Sequence, residues 1–299
     1  MTTAVVIIVF NRPAVTQRVM ERIREARPAN LFVIADGPRA DREGEAEKCD
    51  EVRSLIDAML DWPCRLIKIF SKTNLGCGRR VSSGLNEVFR QVEEAIILED
   101  DCLPDSTFFQ YCELLLERYR FNEHVGQIAG CSFLPGQNGV ESYFFSRYPH
   151  CWGWATWRRA WMHYDYTMQS WRNDGVASWR NGPVRRAERM AWRRNFNRTL
   201  KGKIDTWDYQ WTATCWARGT WAIIPGLNLV TNIGYGPEAT HTQEGPWGNL
   251  PLGRMAFPLS HPLEVKGDER LDECISRTVF EPPSLARRLE NRLKRLIFR

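Results

Sequence analysis

Ala95-Ile96-Ile97-Leu98-Glu99-Asp100-Asp101 is the stretch that decides the fold, because four apolar residues run directly into three carboxylates. A short apolar run of this kind is typical of a buried parallel strand, and open α/β sheets bind their ligands at the carboxyl ends of such strands. Adjacent carboxylates repel one another, so they need a cation or hydrogen-bond donors beside them. A hard divalent metal that carries a substrate diphosphate would supply that cation.

The alternative is that these acids cap the helix that follows them. Asp105, however, stands directly before a periodic apolar run over residues 108–119 and already supplies an N-terminal cap. Capping therefore leaves the three acids before it unexplained. We favour a metal and nucleotide site over a structural acid cluster.

Composition indicates a globular protein that is large enough for one α/β domain with an embellished second half. The chain has 299 residues, of which 43% are hydrophobic and 26% are charged, with a formal net charge of +5. This charge is too small to predict nucleic-acid binding. The apolar run at residues 4–10 is strand-length and lacks a preceding basic region, which is unlike a signal peptide or a membrane span.

The cysteines indicate a reduced, cytosolic protein. There are nine of them, an odd number, and no Cys-x-x-Cys pair occurs. Most lie inside apolar segments, where a thiol packs as a small hydrophobic group. This usage argues against a disulfide framework and against a zinc site.

The first third of the chain alternates strand and helix patterns, which predicts a parallel, doubly wound sheet. The predicted strands cover residues 4–10, 31–35, 65–70 and 95–98, and the predicted helices cover residues 15–26, 45–60 and 81–92. Polar segments follow the strands, and because parallel strands end at one edge of the sheet, we expect these segments to build one site. They are Asn11-Arg12-Pro13, Asp36-Gly37-Pro38, Asn74-Leu75-Gly76-Cys77-Gly78 and the acid triplet.

The second half of the chain is rich in tryptophan and arginine. Eleven of the 13 tryptophans lie between residues 143 and 221, where strand patterns are short and irregular. We interpret this region as a continuation of the sheet with helical embellishments on the acceptor side of the site. No linker marks an independent domain.

The last segment, residues 281–299, predicts an amphipathic helix after Pro282 and Pro283. A stripe of leucines faces a side with many arginines and the single acid Glu290. Such a helix either lies on an anionic membrane surface or packs its leucines on the protein body. In the first case the protein would be peripheral at the inner face of a membrane.

Taken in order, the motifs resemble those of GT-A glycosyltransferases, specifically bacterial sugar transferases related to the Golgi N-acetylglucosaminyltransferases that initiate complex N-glycans. The resemblance covers roughly residues 4–265. The motifs are Val9-Phe10-Asn11-Arg12-Pro13, Ala35-Asp36-Gly37, Leu98-Glu99-Asp100-Asp101 with Pro104-Asp105 and Phe108-Phe109, Cys151-Trp152-Gly153-Trp154, Thr206-Trp207-Asp208-Tyr209-Gln210-Trp211, Asn232-Ile233-Gly234 and Thr240-His241-Thr242.

The resemblance implies a Rossmann-like α/β catalytic domain over residues 1–280, with a mainly parallel sheet flanked by helices. Its nucleotide-sugar half would span about residues 1–120 and its Trp-rich, helical acceptor half about residues 121–280. The implied reaction is metal-dependent, inverting sugar transfer with Mn²⁺ or Mg²⁺. The donor would be a nucleotide-diphosphate sugar, for example UDP-N-acetylglucosamine, and the acceptor a hydroxyl of a glycan, a lipid-linked sugar or another molecule.

The resemblance also assigns roles on the donor side. Asp101 would bind the metal, and Asp36 would accept a hydrogen bond from the imide N–H of uracil. The alternative for Asp36 is a turn residue, since Asp-Gly-Pro forms good turns. The other predicted donor contacts are Asn11, Arg12, Arg79, Glu99 and Asp100. The glycines at residues 74–80 permit close backbone approach, but a solvated helix start is the alternative for at least one of the adjacent arginines, Arg79 and Arg80.

Asp208 is the candidate catalytic base. Inverting transfer needs a carboxylate that takes the proton of the acceptor hydroxyl, and Trp207 and Trp211 could hold Asp208 in place. Asp205 is the rival, one helical turn earlier if the segment is already helical.

Two further sets of residues have predicted roles in ligand binding. His241, in a Gly- and Pro-rich segment, would complete the metal shell, or else is a surface residue. Trp152, Gly153, Trp154 and Trp211 are predicted acceptor contacts, with Gly153 allowing close backbone contact to a ligand. The alternative for the tryptophans is that they fill the core.

Two other functions compete with transfer. A sugar-1-phosphate nucleotidyltransferase shares the sheet type, but it needs a Gly-rich loop with a basic residue after the first strand, where this chain has Asn11-Arg12-Pro13. A catalytically silent carbohydrate-binding protein suits the tryptophan content, yet it has no need of ordered acids such as Asp101 and Asp208.

Overall fold

A computed structural model of the chain describes residues 1–134, 141–235 and 247–280. The strands are β1 (Ala4–Val9), β2 (Asn30–Ala35), β3 (Arg65–Phe70), β4 (Glu94–Glu99), β5 (Cys102–Pro104), β6 (Val125–Ala129), β7 (Tyr143–Ser146), β8 (Trp154–Trp157), β9 (Trp221–Pro225) and β10 (Val230–Asn232). The α-helices are α1 (Pro13–Ala26), α2 (Glu45–Met59), α3 (Cys77–Gln91), α4 (Thr107–Arg118), α5 (Arg158–Trp161), α6 (Gln169–Asp174), α7 (Arg186–Leu200), α8 (Asp208–Arg218) and α9 (Glu269–Ile275).

A mixed central sheet runs through the molecule. Its eight strands lie in the order β3-β2-β1-β4-β8-β6-β9-β7, and helices flank it. The first four strands pair in parallel, as predicted, whereas β8 pairs antiparallel with both β4 and β6. β6 and β9 are again parallel, and β7 closes the edge antiparallel to β9. The predicted α/β class and the continuation of one sheet into the second half are both confirmed.

Strand β1 shows why its sequence is apolar at every position. Alternate side chains of a strand point to opposite faces. Val5, Ile7 and Val9 pack in the core that contains α1, α2 and α4, while Val6 and Ile8 pack in the core that contains α3. Helices thus cover both faces, as a parallel sheet requires.

The second half has a core of its own on the outer strands. Trp171, Trp192, Trp216 and Phe196 pack there against Ile224 of β9. The edge-on ring contacts between Trp192 and Trp216, at 4.9 Å, fasten α7 to α8. Trp192 also contacts the ring of Tyr209 edge-on at 5.6 Å, at the start of α8 and next to the candidate base Asp208.

Helix α3 starts earlier than predicted. It begins at Cys77 instead of residue 81, because the carboxylate of Asp205 accepts hydrogen bonds from the N–H groups of Cys77 at 2.9 Å and Gly78 at 3.0 Å. These N–H groups lack partners within the helix, and the cap satisfies them.

All nine cysteines are free thiols, as predicted. Among the described helices, none has both the length and the apolar character needed to cross a bilayer. The predicted amphipathic helix at residues 281–299 lies outside the described residues.

Candidate active site

A cleft of about 750 Å³ opens at the carboxyl ends of β1, β2 and β4, a size typical of small-molecule sites. The starts of α3 and α8 close its sides. Arg12, Asp36, Gly76 and the acid triplet all line it, so the polar segments after the four parallel strands do meet at one edge.

The protein supplies its own cation to the acid triplet. The Arg12 guanidinium forms a short ion pair with Asp100 and donates to Asp101 Oδ2 at 3.1 Å. Asp100 also accepts from the N–H of Phe10 at 3.4 Å, and burial raises its pKa to about 6 despite the attraction of Arg12. Burial opposes the charge on Arg12, but the two carboxylates outweigh it and raise the Arg12 pKa.

The carboxylate of Glu99 has one hydrogen-bond partner among the described residues, whereas that of Asp100 has two. Glu99 accepts from the indole N–H of Trp207 at 3.3 Å. Burial, and then repulsion from Asp101, Asp100 and Asp208, raise its pKa to about 8. The triplet therefore holds more carboxylate than Arg12 alone can balance.

Asp101, the predicted metal ligand, is more exposed than its neighbour Asp100. Its side chain is 13% exposed, compared with 4% for Asp100. The backbone of Gly234 lies against it so closely that an added Cβ would stand 2.3 Å from Asp101 Oδ2. Within the described residues no group of three or more His, Cys, Asp or Glu side chains could hold a metal ion. His241 lies outside them.

Asp36 holds the loop that follows β3 in place through hydrogen bonds. Its buried carboxylate accepts from the N–H groups of Gly37 at 2.9 Å, Leu75 at 2.9 Å and Gly76 at 3.0 Å. Asp36 thus acts as a turn residue, the alternative interpretation of its motif, while it also lines the cleft. Burial raises its pKa.

Asn11 has a partner away from the acid triplet. Its side-chain amide donates to Glu45 Oε1 at 3.0 Å, at the start of α2. Glu45 also pairs with Arg39, which lines the cleft. Asn11 therefore supports the wall of the cleft through Glu45.

Two arginines, Arg79 and Arg80, follow the loop at residues 74–78. The sequence analysis predicted Arg79 as the donor contact, but Arg80 is the one that lines the cleft. Arg79 is exposed and lies over the ring of Tyr166 at 5.8 Å. Arg80 lines the cleft with 7% of its surface exposed, and its buried Nε has no hydrogen-bond partner among the described residues. Gly84 could have indicated this role of Arg80. Gly84 marks the face of α3 that packs closely on Ile34 of β2, and Arg80, four residues earlier, lies on the same face.

The two candidate bases differ in how their oxygens are used. Both oxygens of Asp205 cap α3, one bonding to Cys77 and the other to Gly78. In Asp208, Oδ1 accepts from the Thr206 hydroxyl and from the N–H of Tyr209 at 2.8 Å. No hydrogen bond within the described chain reaches its Oδ2, so this oxygen is available to a ligand in the cleft.

Aromatic rings line the side of the cleft formed by the second half. Phe133 makes edge-on contacts with His150 at 4.7 Å, Trp152 at 5.3 Å and Trp247 at 5.1 Å, and Tyr235 lies 6.2 Å from Trp152. All five line the cleft. Trp152 therefore lines the cleft, its role as an acceptor contact stays a prediction, and the sequence analysis did not predict the other four residues.

The remaining predicted acceptor contacts lie elsewhere. Trp154 and Trp211 are 0% and 1% exposed and pack on each other at 5.7 Å in the core, as the alternative interpretation held. The close approach at Gly153 is to protein instead of ligand, since an added Cβ would lie 2.6 Å from Val230. Burial against β4 and β10 accounts for both corrections.

Comparisons with known proteins give a likeness of fold. No protein-family model matches the chain, and no curated protein matches its sequence. Solved structures with a similar fold include an active-site mutant of LgtC, with a TM-score of 0.42, 11% identity, and coverage of 74% of this chain and 72% of LgtC. The mannosyltransferase PcManGT from Pyrobaculum calidifontis, in complex with GDP-Man and Mn²⁺, gives 0.38 and 14%, with coverage of 72% and 69%.

HddC from Yersinia pseudotuberculosis, complexed with GMP-PN, gives a TM-score of 0.29 at 14% identity. The overlap covers 39% of this chain and only 55% of HddC. These overlaps are partial.

Proposed function

We propose that the protein is a GT-A-type glycosyltransferase that transfers a sugar from a nucleotide-diphosphate donor to an acceptor hydroxyl in this cleft, with inversion. The observation that carries the proposal is Asp208, which lines the cleft at the start of α8: hydrogen bonds fix one oxygen of its carboxylate, and no hydrogen bond from the described residues reaches the other. Such a group suits a general base, which must be held in place and yet be free to accept a proton.

The opposite side of the cleft suits a diphosphate. Arg12 and Arg80 are largely buried guanidinium groups, and Arg80 has an unused donor. Buried cations of this kind pair strongly with phosphate oxygens. Both would stabilise the negative charge that develops on the departing nucleotide.

Asp101 fits a divalent cation in a limited sense. Mg²⁺ and similar ions are commonly held by one or two carboxylates together with substrate phosphates. Asp101 would provide the carboxylate, with further ligands from the donor diphosphate, water and His241. The ion would supply additional positive charge beside the leaving group.

Each proton and bond in the transfer can be assigned to a group in the cleft. Asp208 Oδ2 takes the proton of the acceptor hydroxyl while the hydroxyl oxygen bonds to the anomeric carbon. The bond between that carbon and the diphosphate oxygen breaks, and the nucleotide leaves beside Arg12. The aromatic side of the cleft, with Trp152 and Phe133, would hold the acceptor sugar by stacking on its apolar face.

A uridine donor such as UDP-N-acetylglucosamine and a glycan or lipid-linked acceptor remain part of this proposal, as does the relation to the N-acetylglucosaminyltransferases. A panel of UDP-, GDP- and dTDP-sugars with Mn²⁺ or Mg²⁺ would identify the donor through slow hydrolysis to the free nucleotide. Absence of hydrolysis and of any thermal shift with every donor would favour the carbohydrate-binding alternative.

The test of the base uses the donor that the panel identifies. We expect Asp208→Asn to lower transfer at least about a hundredfold, because proton transfer is lost, while nucleotide affinity by calorimetry stays unchanged. Asp50→Asn, the same change on an exposed side chain of α2, is the matched control and should retain full activity. Near-normal turnover in Asp208→Asn would reject Asp208 as the base.

A further inference from the structure

The exposed face of α7 is a strongly basic surface. The helix contains five arginines, at residues 186, 189, 193, 194 and 198, and all are exposed. Its one acid, Glu188, is buried and bonds to Tyr148 at 2.9 Å and Trp192 at 3.0 Å. Among the described residues, none of the five arginines forms an ion pair. Lys201 and Lys203, both exposed, extend the surface beyond the helix.

Helical geometry puts these charges on one side. Arg186, Arg189 and Arg193 are spaced by three and four residues, so they lie one above another. Trp192 and Phe196 of the same helix pack in the core, whereas the side chains of the arginines are exposed. The basic face therefore contributes nothing to that core.

Apolar side chains stand within the basic surface. Met190 is 64% exposed, and Val184, just before the helix, is 73% exposed. Exposed apolar groups among arginines suit a lipid interface, where the arginines meet anionic headgroups and the apolar groups enter the boundary below them. A purely polar polyanion would make no use of them.

The basic face also borders the cleft. Asn195 of α7 lines the cleft, and Arg198 and Arg194 are close enough to the cleft residue Tyr209 to act on its hydroxyl electrostatically. Phe280 packs on Trp192 at 5.1 Å, and the arginine-rich sequence of residues 281–299 follows it directly.

We infer that the exposed face of α7 docks the protein on an anionic lipid bilayer. Each arginine near such a surface adds favourable electrostatic energy that salt weakens. Docking of this kind does not depend on the proposed sugar transfer.

Co-sedimentation of the full-length protein with vesicles tests the inference. We expect binding to vesicles of phosphatidylcholine with phosphatidylglycerol, little binding to pure phosphatidylcholine, and loss of binding at high salt. Replacing Arg186, Arg189 and Arg193 by Gln should weaken binding by more than about tenfold. The control changes Arg18, Arg42 and Arg65, exposed on other elements, to Gln and should bind as the wild type does.

Two further measurements separate the competing explanations. The same three substitutions at Arg287, Arg288 and Arg292 test whether the tail, instead of α7, carries the binding. The inference is overturned if only this tail variant loses vesicle binding, or if the α7 variant and its control bind equally. It is also overturned if the α7 variant loses affinity for polygalacturonate, an acidic glycan, but not for vesicles. Equal thermal midpoints of all variants would exclude misfolding as the cause.

Discussion

The carboxylates of the core pair, Glu188 and Asp272, and those of the acid triplet in the cleft differ in how many hydrogen-bond donors surround them. The core pair, Glu188 and Asp272, is fully supplied with donors: Glu188 accepts from three side chains, and Asp272 accepts from Arg147 Nε at 2.8 Å and from the Ser146 hydroxyl at 2.5 Å. In the cleft triplet one guanidinium serves both Asp100 and Asp101, and among the described residues Glu99 has a single indole donor.

The difference separates a structural role from a ligand-binding role. Burial raises the pKa of the carboxyl groups in both places, so burial alone does not distinguish them. What distinguishes the triplet is the repulsion among its own members and the shortage of donors. A buried carboxylate with enough hydrogen-bond donors links the segments that carry those donors. A buried carboxylate with too few donors can instead bind a cation or a ligand.

The largest expected effect comes from removing the cation of each group. Arg12→Ala and Arg147→Ala should each lower the free energy of unfolding in urea by about 3–5 kcal/mol, because each leaves a buried carboxylate unpaired. Mn²⁺ with UDP should restore part of the loss in Arg12→Ala only, since a divalent cation can take the place of the guanidinium beside Asp101. An equal response of the two variants to Mn²⁺ and UDP would contradict the comparison.

A smaller effect extends the same reasoning to a buried cation. Arg80 lacks a partner for its Nε, so Arg80→Gln should raise the Kd of the donor nucleotide by about tenfold through loss of a charge-assisted hydrogen bond. Arg79→Gln, which alters an exposed side chain next to it, should leave the Kd unchanged. Calorimetric titration measures the Kd of both variants. A larger increase for Arg79→Gln would support Arg79, instead of Arg80, as the donor contact.

A third expected effect, gradual with pH, is a pH dependence of stability that runs against that of the core acids. Burial lowers the pKa of His150 to about 3 from 6.5, so between these values the unfolded chain binds a proton that the folded chain does not. Stability should therefore fall as the pH falls through this window, by at most about 1.4 kcal/mol per pH unit. Glu188 and Asp272 act in the opposite direction. Because their pKa values are raised, their contribution to the free energy of unfolding decreases as the pH rises.

Urea unfolding of His150→Asn between pH 6.5 and pH 3 isolates the histidine contribution. Its stability should depend less steeply on pH than that of the wild type. His124→Asn, a change at an exposed histidine, serves as the control. Parallel pH profiles for the wild type and His150→Asn would show that the ring is protonated equally in both states.

The fold of the first half was largely predictable because its determinants are local. β3 was predicted at its observed bounds, and α2 differs by a single residue at its end. Apolar runs of strand length and polar segments after them are read directly from the chain. The convergence of those segments at one edge then follows from parallel pairing, without knowledge of any side-chain contact.

The details that failed depend on distant partners. Asp205, which sets the start of α3, lies 128 residues from Cys77, and Arg12 lies 88 residues from Asp100. The tryptophans failed for a related reason: Trp152 and Trp154 are two residues apart, yet one lines the cleft and the other is fully buried. Residues two apart on a regular strand share a face, but Trp152 precedes β8 (Trp154–Trp157), and the backbone turns at Gly153, whose φ is +60°.

The Asp205 cap has a consequence for the order of events in the cleft. Asp205 holds the first turn of α3, next to the loop that Asp36 fastens, and it stands three residues before Asp208. Added Cβ atoms at Gly76 and Gly78 would both collide with the segment that carries Asp205 and Thr206. Because this contact is so close, we expect the loop after β3 and the segment that carries Asp205 and Asp208 to move together. A ligand that displaces the loop must carry the base with it or break the cap.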